Sequence, residues 1–387
     1  MSNYQDGISP RKILNPWYSN VVLLLFAVTG ILIVSQNFVL LPMSAQLQAE
    51  FHIEHSFVFL STSIFSFCYA CGFLAWTVVV KKYGKRKVLI LGLLFTACFT
   101  ACVGLVHNYA IFCLLRGLQG LSSATFTPIA LHYGLELFNN KKMIILSTAL
   151  TASPIVSQLL SRLTIKFVTV SELFLLVSII IAGLTIMYGY LLPKDIEQHE
   201  RLKIGQEYRQ VYRVLLNPKY RWLFGMIIIQ FFYFVMLLQI IQNLSTKQNI
   251  SISPTTIQFV SLIGILISPL LAPILNRIGK KLIIVFLIIN LGGFSLLMLS
   301  SKIYCLYIAI LCISFSVSST LPLLIQEVGK QIKNNLSYGM ASYTFLLFLG
   351  SSIGTIFSAV FDMTINFIIV FSTLIIATYY SFKQDLN

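Results

Sequence analysis

The 387 residues are 57% hydrophobic and only 10% charged, with a mean hydropathy of +0.86 and a formal net charge of +15. So little charge cannot cover a water-soluble protein of this length, which leaves an integral membrane protein. In a soluble chain the positive excess would suggest nucleic acid; here its placement argues for membrane topology and against such a partner.

A helix needs roughly 20 apolar residues to cross the hydrocarbon core. On that ruler the first half holds six predicted spans, at 20–42, 56–80, 88–107, 109–134, 143–162 and 173–193. The first run is too long for the core of a cleavable signal and reads as a retained helix. A polar stretch, Lys194–Arg221, follows, and its Tyr208–Leu216 portion suits an amphipathic helix lying along the membrane surface. Six further spans are predicted at 222–243, 255–275, 282–301, 303–326, 336–361 and 363–381. The expected fold is all-α integral membrane: twelve transmembrane helices in two pseudo-symmetric six-helix bundles, 1–193 and 222–387, joined by a cytoplasmic linker, 194–221.

Charge placement tests that layout. With both termini inside, Arg162, Lys166, Lys247 and Lys302 fall outside, Arg116 falls within the membrane, and the remaining 22 of the 27 basic residues are cytoplasmic. That is the asymmetry the positive-inside rule requires. Abundant Lys, Ile and Asn fit an AT-rich bacterial genome, and place the protein in a bacterial cytoplasmic (inner) membrane.

The two halves echo each other. Lys81-Lys82-Tyr83-Gly84-Lys85-Arg86-Lys87 and Asn276-Arg277-Ile278-Gly279-Lys280-Lys281 both follow a second span, with their glycines 195 positions apart. Pro128 and Pro322 are offset by 194, and Glu136 and Glu327 by 191. Duplication of this kind marks a secondary transporter whose site lies where the repeats meet. A glycine-centred turn between antiparallel helices packs closely. Its cations can pair with a carboxylate at a nearby helix end. Lys82, Gly84 and Arg86 with Glu136, and Arg277, Gly279 and Lys281 with Glu327, are therefore candidate gating residues, with topological anchoring as the alternative.

Arg116 is about seven residues into the fourth span, near 10 Å below the outer surface at 1.5 Å per residue. A guanidinium there is costly unless it meets a polar cavity or partners. It is a candidate anchor for an anionic group or modulator of a proton site; alternatively it snorkels, or bonds backbone carbonyls of the first span. None of the twelve carboxylates lies in mid-span, so the buried Asp or Glu expected of proton coupling is missing. Uncharged polar residues supply the remaining candidate substrate contacts: Gln36, Asn37, Gln119, Ser157, Gln158, Gln230, Tyr233, Gln239 and Tyr343. Ordinary interhelical hydrogen bonding is the competing explanation for each.

Cys68/Cys71 and Cys98/Cys102 have helical spacing but no His or carboxylate at matching depth, so no metal site is expected. No phosphate loop, ATP-binding motif or catalytic Ser/His/Asp set occurs, which argues against an enzyme, an ATP-driven pump or any cofactor.

The 2–3 loop, span four and span five together resemble the twelve-helix drug:proton antiporter branch of the major facilitator superfamily. In the family's loop pattern Lys82, Gly84, Lys85 and Arg86 fit, while Thr77 replaces the leading Gly and Lys81 replaces the Asp. The second copy has Ala272, Asn276, Arg277, Gly279, Lys280 and Lys281. Arg116-Gly117-Leu118-Gln119-Gly120 is similar to the family's span-four motif, and of its span-five motif only Pro154 survives. The resemblance implies proton coupling through Arg116, with protons as the candidate coupling ion. The expected function is export of a small amphipathic organic molecule by a monomer embedded in the lipid bilayer. Import or facilitated movement of an anionic solute bound by Arg116 is the alternative, and a transport-inactive membrane sensor the third reading.

Overall fold

Lipid offers no hydrogen bonds to a backbone, so an apolar chain of this kind must satisfy its own amides within helices. The computed structural model describes residues 16–40, 42–192, 204–247, 253–271, 274, 277–299, 302–361 and 363–386. Among them the regular elements are helices alone. The first half holds α1 (Pro16–Ser35), α2 (Ser44–Phe51), α3 (His55–Tyr83), α4 (Lys85–Leu105), α5 (Tyr109–Ser123), α6 (Phe126–Leu137), α7 (Asn140–Thr164) and α8 (Val170–Leu191). After the linker helix α9 (Ile204–Leu215) come α10 (Arg221–Lys247), α11 (Pro254–Ile267), α12 (Leu282–Leu299), α13 (Ile303–Gln331), α14 (Leu336–Val360) and α15 (Met363–Leu386). Eleven of the described helices are long and apolar enough to cross a membrane.

Two departures from the sequence expectation matter for the site. The span expected at 109–134 is broken into α5 and α6 by a turn at Ala124–Thr125. Pro128 explains the break: it has no amide hydrogen for the Ala124 carbonyl, and its ring crowds that carbonyl. Thr125 closes the turn instead, its hydroxyl donating to the Ser122 carbonyl at 2.9 Å. Pro154 and Pro322, by contrast, stay inside continuous helices. The first span also ends earlier than expected, with α1 stopping at Ser35 and Gln36 and Asn37 sitting in the turn beyond. Other helices bond to the carbonyls at its end: Ser157 Oγ donates to the Ser35 carbonyl at 2.8 Å, alongside the Phe38 and Val39 amides, and Arg116 Nη2 donates to that of Gln36 at 2.8 Å.

Helix pairing follows small residues. α3 lies on α5 and α10 lies on α14. In the first pair Gly120 meets the Phe65 backbone, and in the second Gly350 and Gly354 meet the carbonyls of Ile228 and Phe232. Such close approach is how helices associate where apolar burial gives no advantage over lipid. A Cβ at Gly350 would fall on the Ile228 carbonyl oxygen, whereas one at Gly292 would meet nothing within 4 Å. Gly350→Ala is therefore expected to lower the thermal unfolding temperature of the detergent-solubilised protein by several degrees, with Gly292→Ala leaving it unchanged; equal effects would refute the packing role.

α9 buries Glu207, Val211 and Val214, spaced i, i+4, i+7, against α3 and α14. That side of the helix is occupied by protein, while Tyr208 and Tyr212 are exposed. Elements on the two sides of the linker also meet directly: α14 packs on α3 and α6, and α7 on α11 and α13.

Candidate substrate cavity and its two gates

Where α7 faces α13 and α14 the helices leave a small internal cavity. Val34 of α1, Thr127 and Leu131 of α6, and Ser147, Leu150 and Thr151 of α7 line one side. Phe231 of α10, Leu321 and Ile325 of α13, and Tyr343, Leu347 and Phe348 of α14 line the other. No charged side chain is among them. The space is about 20 Å³ in this conformation, room for about one water molecule.

Contacts between the two halves of the sequence lie toward either end of the helices that line it. At the end carrying the basic loops, Lys81 Nζ of α3 lies 2.9 Å from Glu207 Oε2 of the linker helix and 2.8 Å from the Tyr338 hydroxyl of α14. Tyr338 also donates to Glu207. Glu207 is buried, with a side chain 7% exposed against 37% for Lys81. Beside this triad His132 Nδ1 of α6 lies 3.1 Å from the Ser337 hydroxyl of α14. At the opposite end Gln258 Nε2 of α11 donates to Gln158 Oε1 of α7 at 3.1 Å. Between the ends, Phe348 of α14 packs edge-on against Tyr69 of α3, with ring centroids 4.7 Å apart.

A cavity lined from both halves of an apolar, helical chain fits a transporter. Comparison with known proteins agrees: the family model described as Major Facilitator Superfamily matches residues 25–355. The chain belongs to the major facilitator superfamily. A comparison with curated proteins finds no match. Membership makes it a multi-pass secondary transporter with a small-molecule substrate and a lipid surround.

Within this facilitator the residues expected to bind substrate fall into separate groups, and Tyr343 alone lines the cavity. Arg116 is fully buried in a cluster of its own. Its Nη1 donates to Gln119 Oε1 at 2.6 Å, and its guanidinium lies between the Phe65 and Phe174 rings, 4.4 and 5.6 Å from their centroids. Gln119 Nε2 in turn bonds Gln36 Oε1 and, at 2.8 Å, Thr100 Oγ1. The chemistry here is a buried cation held by dipoles and ring faces, with no carboxylate bonded to it. Arg116 Nε and Gln36 Nε2 have no hydrogen-bond partner among the described residues. Asn37 accepts from Ser66 Oγ. Gln230 bonds Tyr233, which also takes a hydrogen bond from Asn290 Nδ2 at 2.6 Å, forming a second buried amide–phenol cluster. Ser157 is spent on the α1 carbonyl, and Gln158 on the gate to Gln258. The side chain of Gln239 lies outside the described residues.

The expected gating set is likewise redistributed. Glu136 pairs with Lys85 at 2.6 Å and with His132 at 3.0 Å, all within the first half. Lys82 is exposed over the Tyr83 ring, and Arg86 donates to the Gly189 carbonyl. Gly84 and Gly279 do adopt the positive φ that favours glycine, +90° and +67°. Glu327 pairs with Lys330 on its own helix at 2.9 Å, and among the described residues neither Arg277 nor Lys281 pairs with it. Arg277 and Lys281 are exposed, with no ion pair among the described residues. Of the first basic loop and its flanks, it is Lys81, the residue standing where the family pattern has an acid, that bonds to the second half, through Tyr338. With the sign reversed at that position, the acid comes from the linker. No sequence signal connects Lys81 to Glu207, which lies 126 residues away. Thr127, Ser147 and Thr151 were equally hidden, since small hydroxyls on an apolar helix look like ordinary packing residues.

Proposed function

We propose that this facilitator exports a small amphipathic organic molecule by alternating access, as a monomer with twelve crossings in two six-helix bundles. In this reading α5 and α6 together make the fourth crossing, residues 1–193 and 222–387 form the bundles, and 194–221 connects them. The single observation carrying it is the cavity lined from both halves of the chain, with contacts between those halves toward either end of its helices. The Lys81–Glu207–Tyr338 end is the cytoplasmic gate, because the basic loops cluster there and the positive-inside rule retains them. Gln158–Gln258 is the outer gate. Both termini are cytoplasmic, in the inner membrane of a bacterium.

Rocking the bundles exchanges one gate for the other. An amide–amide hydrogen bond within a membrane protein is worth about 0.6–2 kcal/mol, so the outer gate yields readily. The ion pair on the buried Glu207 is the stronger closure. Arg116, locked to the turn after α1 and to α4 through Gln119 and Thr100, is a positioning element of the first bundle that couples to protons. Export, rather than uptake, rests on the similarity of the Arg116-containing segment to the drug:proton antiporters and on the uncharged cavity wall.

Purified protein in liposomes with an imposed pH gradient tests this reading. Everted vesicles are expected to accumulate a lipophilic organic probe when acid inside, and right-side-out vesicles to extrude it. Flux absent in both orientations across neutral, cationic and anionic probes would remove the transport assignment.

A further inference from the structure

Within the cavity, one hydroxyl from each half has no partner. Of the polar side chains lining it, Thr127 shares a hydrogen bond with Tyr69 at 2.9 Å, and Thr151 donates to the Ser147 carbonyl at 2.8 Å. The hydroxyls of Ser147 and Tyr343 make no hydrogen bond among the described residues, although both residues are only 2% exposed. Neither hydroxyl oxygen is sealed off from the cavity space, so each would pair with a group that fills it, as natural structures do for nearly all their buried polar groups. Here two such groups, from α7 and α14, face one space across the boundary that opens during transport.

Resting on the transporter reading, we infer that Ser147 and Tyr343 form the polar half of the cargo site, which takes an uncharged aromatic molecule carrying one hydroxyl or carbonyl group. The rest of the wall sets the remaining chemistry. Phe231 and Phe348 present rings on the same side as Tyr343, and aromatic pairs favour offset or edge-on contact with a planar guest. A cargo ion would meet no counter-charge, because no charged residue lines the space and Arg116 is engaged elsewhere. Desolvating an ion there is prohibitive. The halves thus divide recognition: the first contributes a hydroxyl on an aliphatic surface, the second a phenol among rings. A guest bridging the two hydroxyls holds the bundles together around itself. In this conformation the space is too small for such a guest, so binding accompanies separation of the bundles.

The test uses the full-length purified protein and four probes on one ring system: 2-naphthol, naphthalene, naphthalene-2-sulfonate and 2-naphthylmethylammonium. Binding is read from the ligand-dependent rise in unfolding temperature across a concentration series. 2-Naphthol is expected to bind at least tenfold more tightly than the other three. Tyr343→Phe and Ser147→Ala are each expected to remove most of that preference, while Ser147→Thr, which keeps the hydroxyl, retains it. Unliganded unfolding temperatures equal to wild type show that the variants fold. Binding of the sulfonate or ammonium as tight as that of 2-naphthol, a preference that survives both hydroxyl deletions, or no binding by any probe would overturn the inference. Flux of any probe with unaltered selectivity in the variants would overturn it while leaving the transporter assignment in place.

Discussion

Replacing Arg116 with leucine is expected to cut the maximal transport rate at least tenfold while leaving the apparent affinity for cargo within about twofold. The guanidinium donates to Gln119 Oε1 and to the Gln36 carbonyl from a fully buried position, and it lies outside the cavity lining. Hydrogen bonds to a charged donor are worth about 1.5–3 kcal/mol each, and every 1.4 kcal/mol is a factor of ten. Stability moves less than rate, because removing a buried charge also relieves its desolvation and offsets the lost bonds. Arg116→Lys is not expected to rescue, since an ammonium lacks the planar fork that reaches both acceptors while stacking between Phe65 and Phe174. A variant that weakens apparent affinity for a carboxylated solute and spares the rate would instead support uptake of an anion held by Arg116.

Reversing the charge at Lys81, by Lys81→Glu, is expected to open the cytoplasmic gate. The introduced carboxylate would stand against that of the buried Glu207 in place of the present 2.9 Å pair. Breaking a buried pair by altering one partner costs about 3–5 kcal/mol, and the partial exposure of Lys81 brings this down to about 1.5–3 kcal/mol. The open population should rise roughly ten- to a hundredfold. Distances between spin labels at the exposed Tyr83 and Lys333, one in each half, should lengthen in Lys81→Glu and return toward wild type in the exchange Lys81→Glu/Glu207→Lys. Failure of the exchange to restore the closed distance would show that the pair does not hold the gate.

The helices were legible in the sequence because lipid imposes a plain requirement, about 20 apolar residues, that hydropathy reports directly. The turn at Ala124–Thr125 was not, since Pro128, Pro154 and Pro322 look alike in sequence and only the first interrupts its helix. Likeness to the superfamily was carried by Arg116-Gly117-Leu118-Gln119-Gly120 and by the basic loop, and the match over residues 25–355 agrees at the level of the superfamily. The site was far less visible. Amides marked as cavity-lining were marked for their polarity, yet a polar group inside the bilayer first seeks a partner: Gln36 and Gln119 find theirs across helices, and Gln230 finds Tyr233 on its own helix. The hydroxyls that do line the cavity carry no such signature. Lys81 was noticeable only as a departure from the family pattern, and its meaning lay in an acid from a segment expected to skim the bilayer.

Glu207 also means that the gate is a three-body contact. A connector that merely tethered two lobes would leave them free to part as a pair of blocks. Here the carboxylate is shared between an ammonium on one lobe and a phenol on the other, so separation forces a choice of companion. Under the proposed rocking, whichever bond breaks first decides which lobe carries α9 away with it, and the stroke at that face becomes asymmetric even where the sequence repeats.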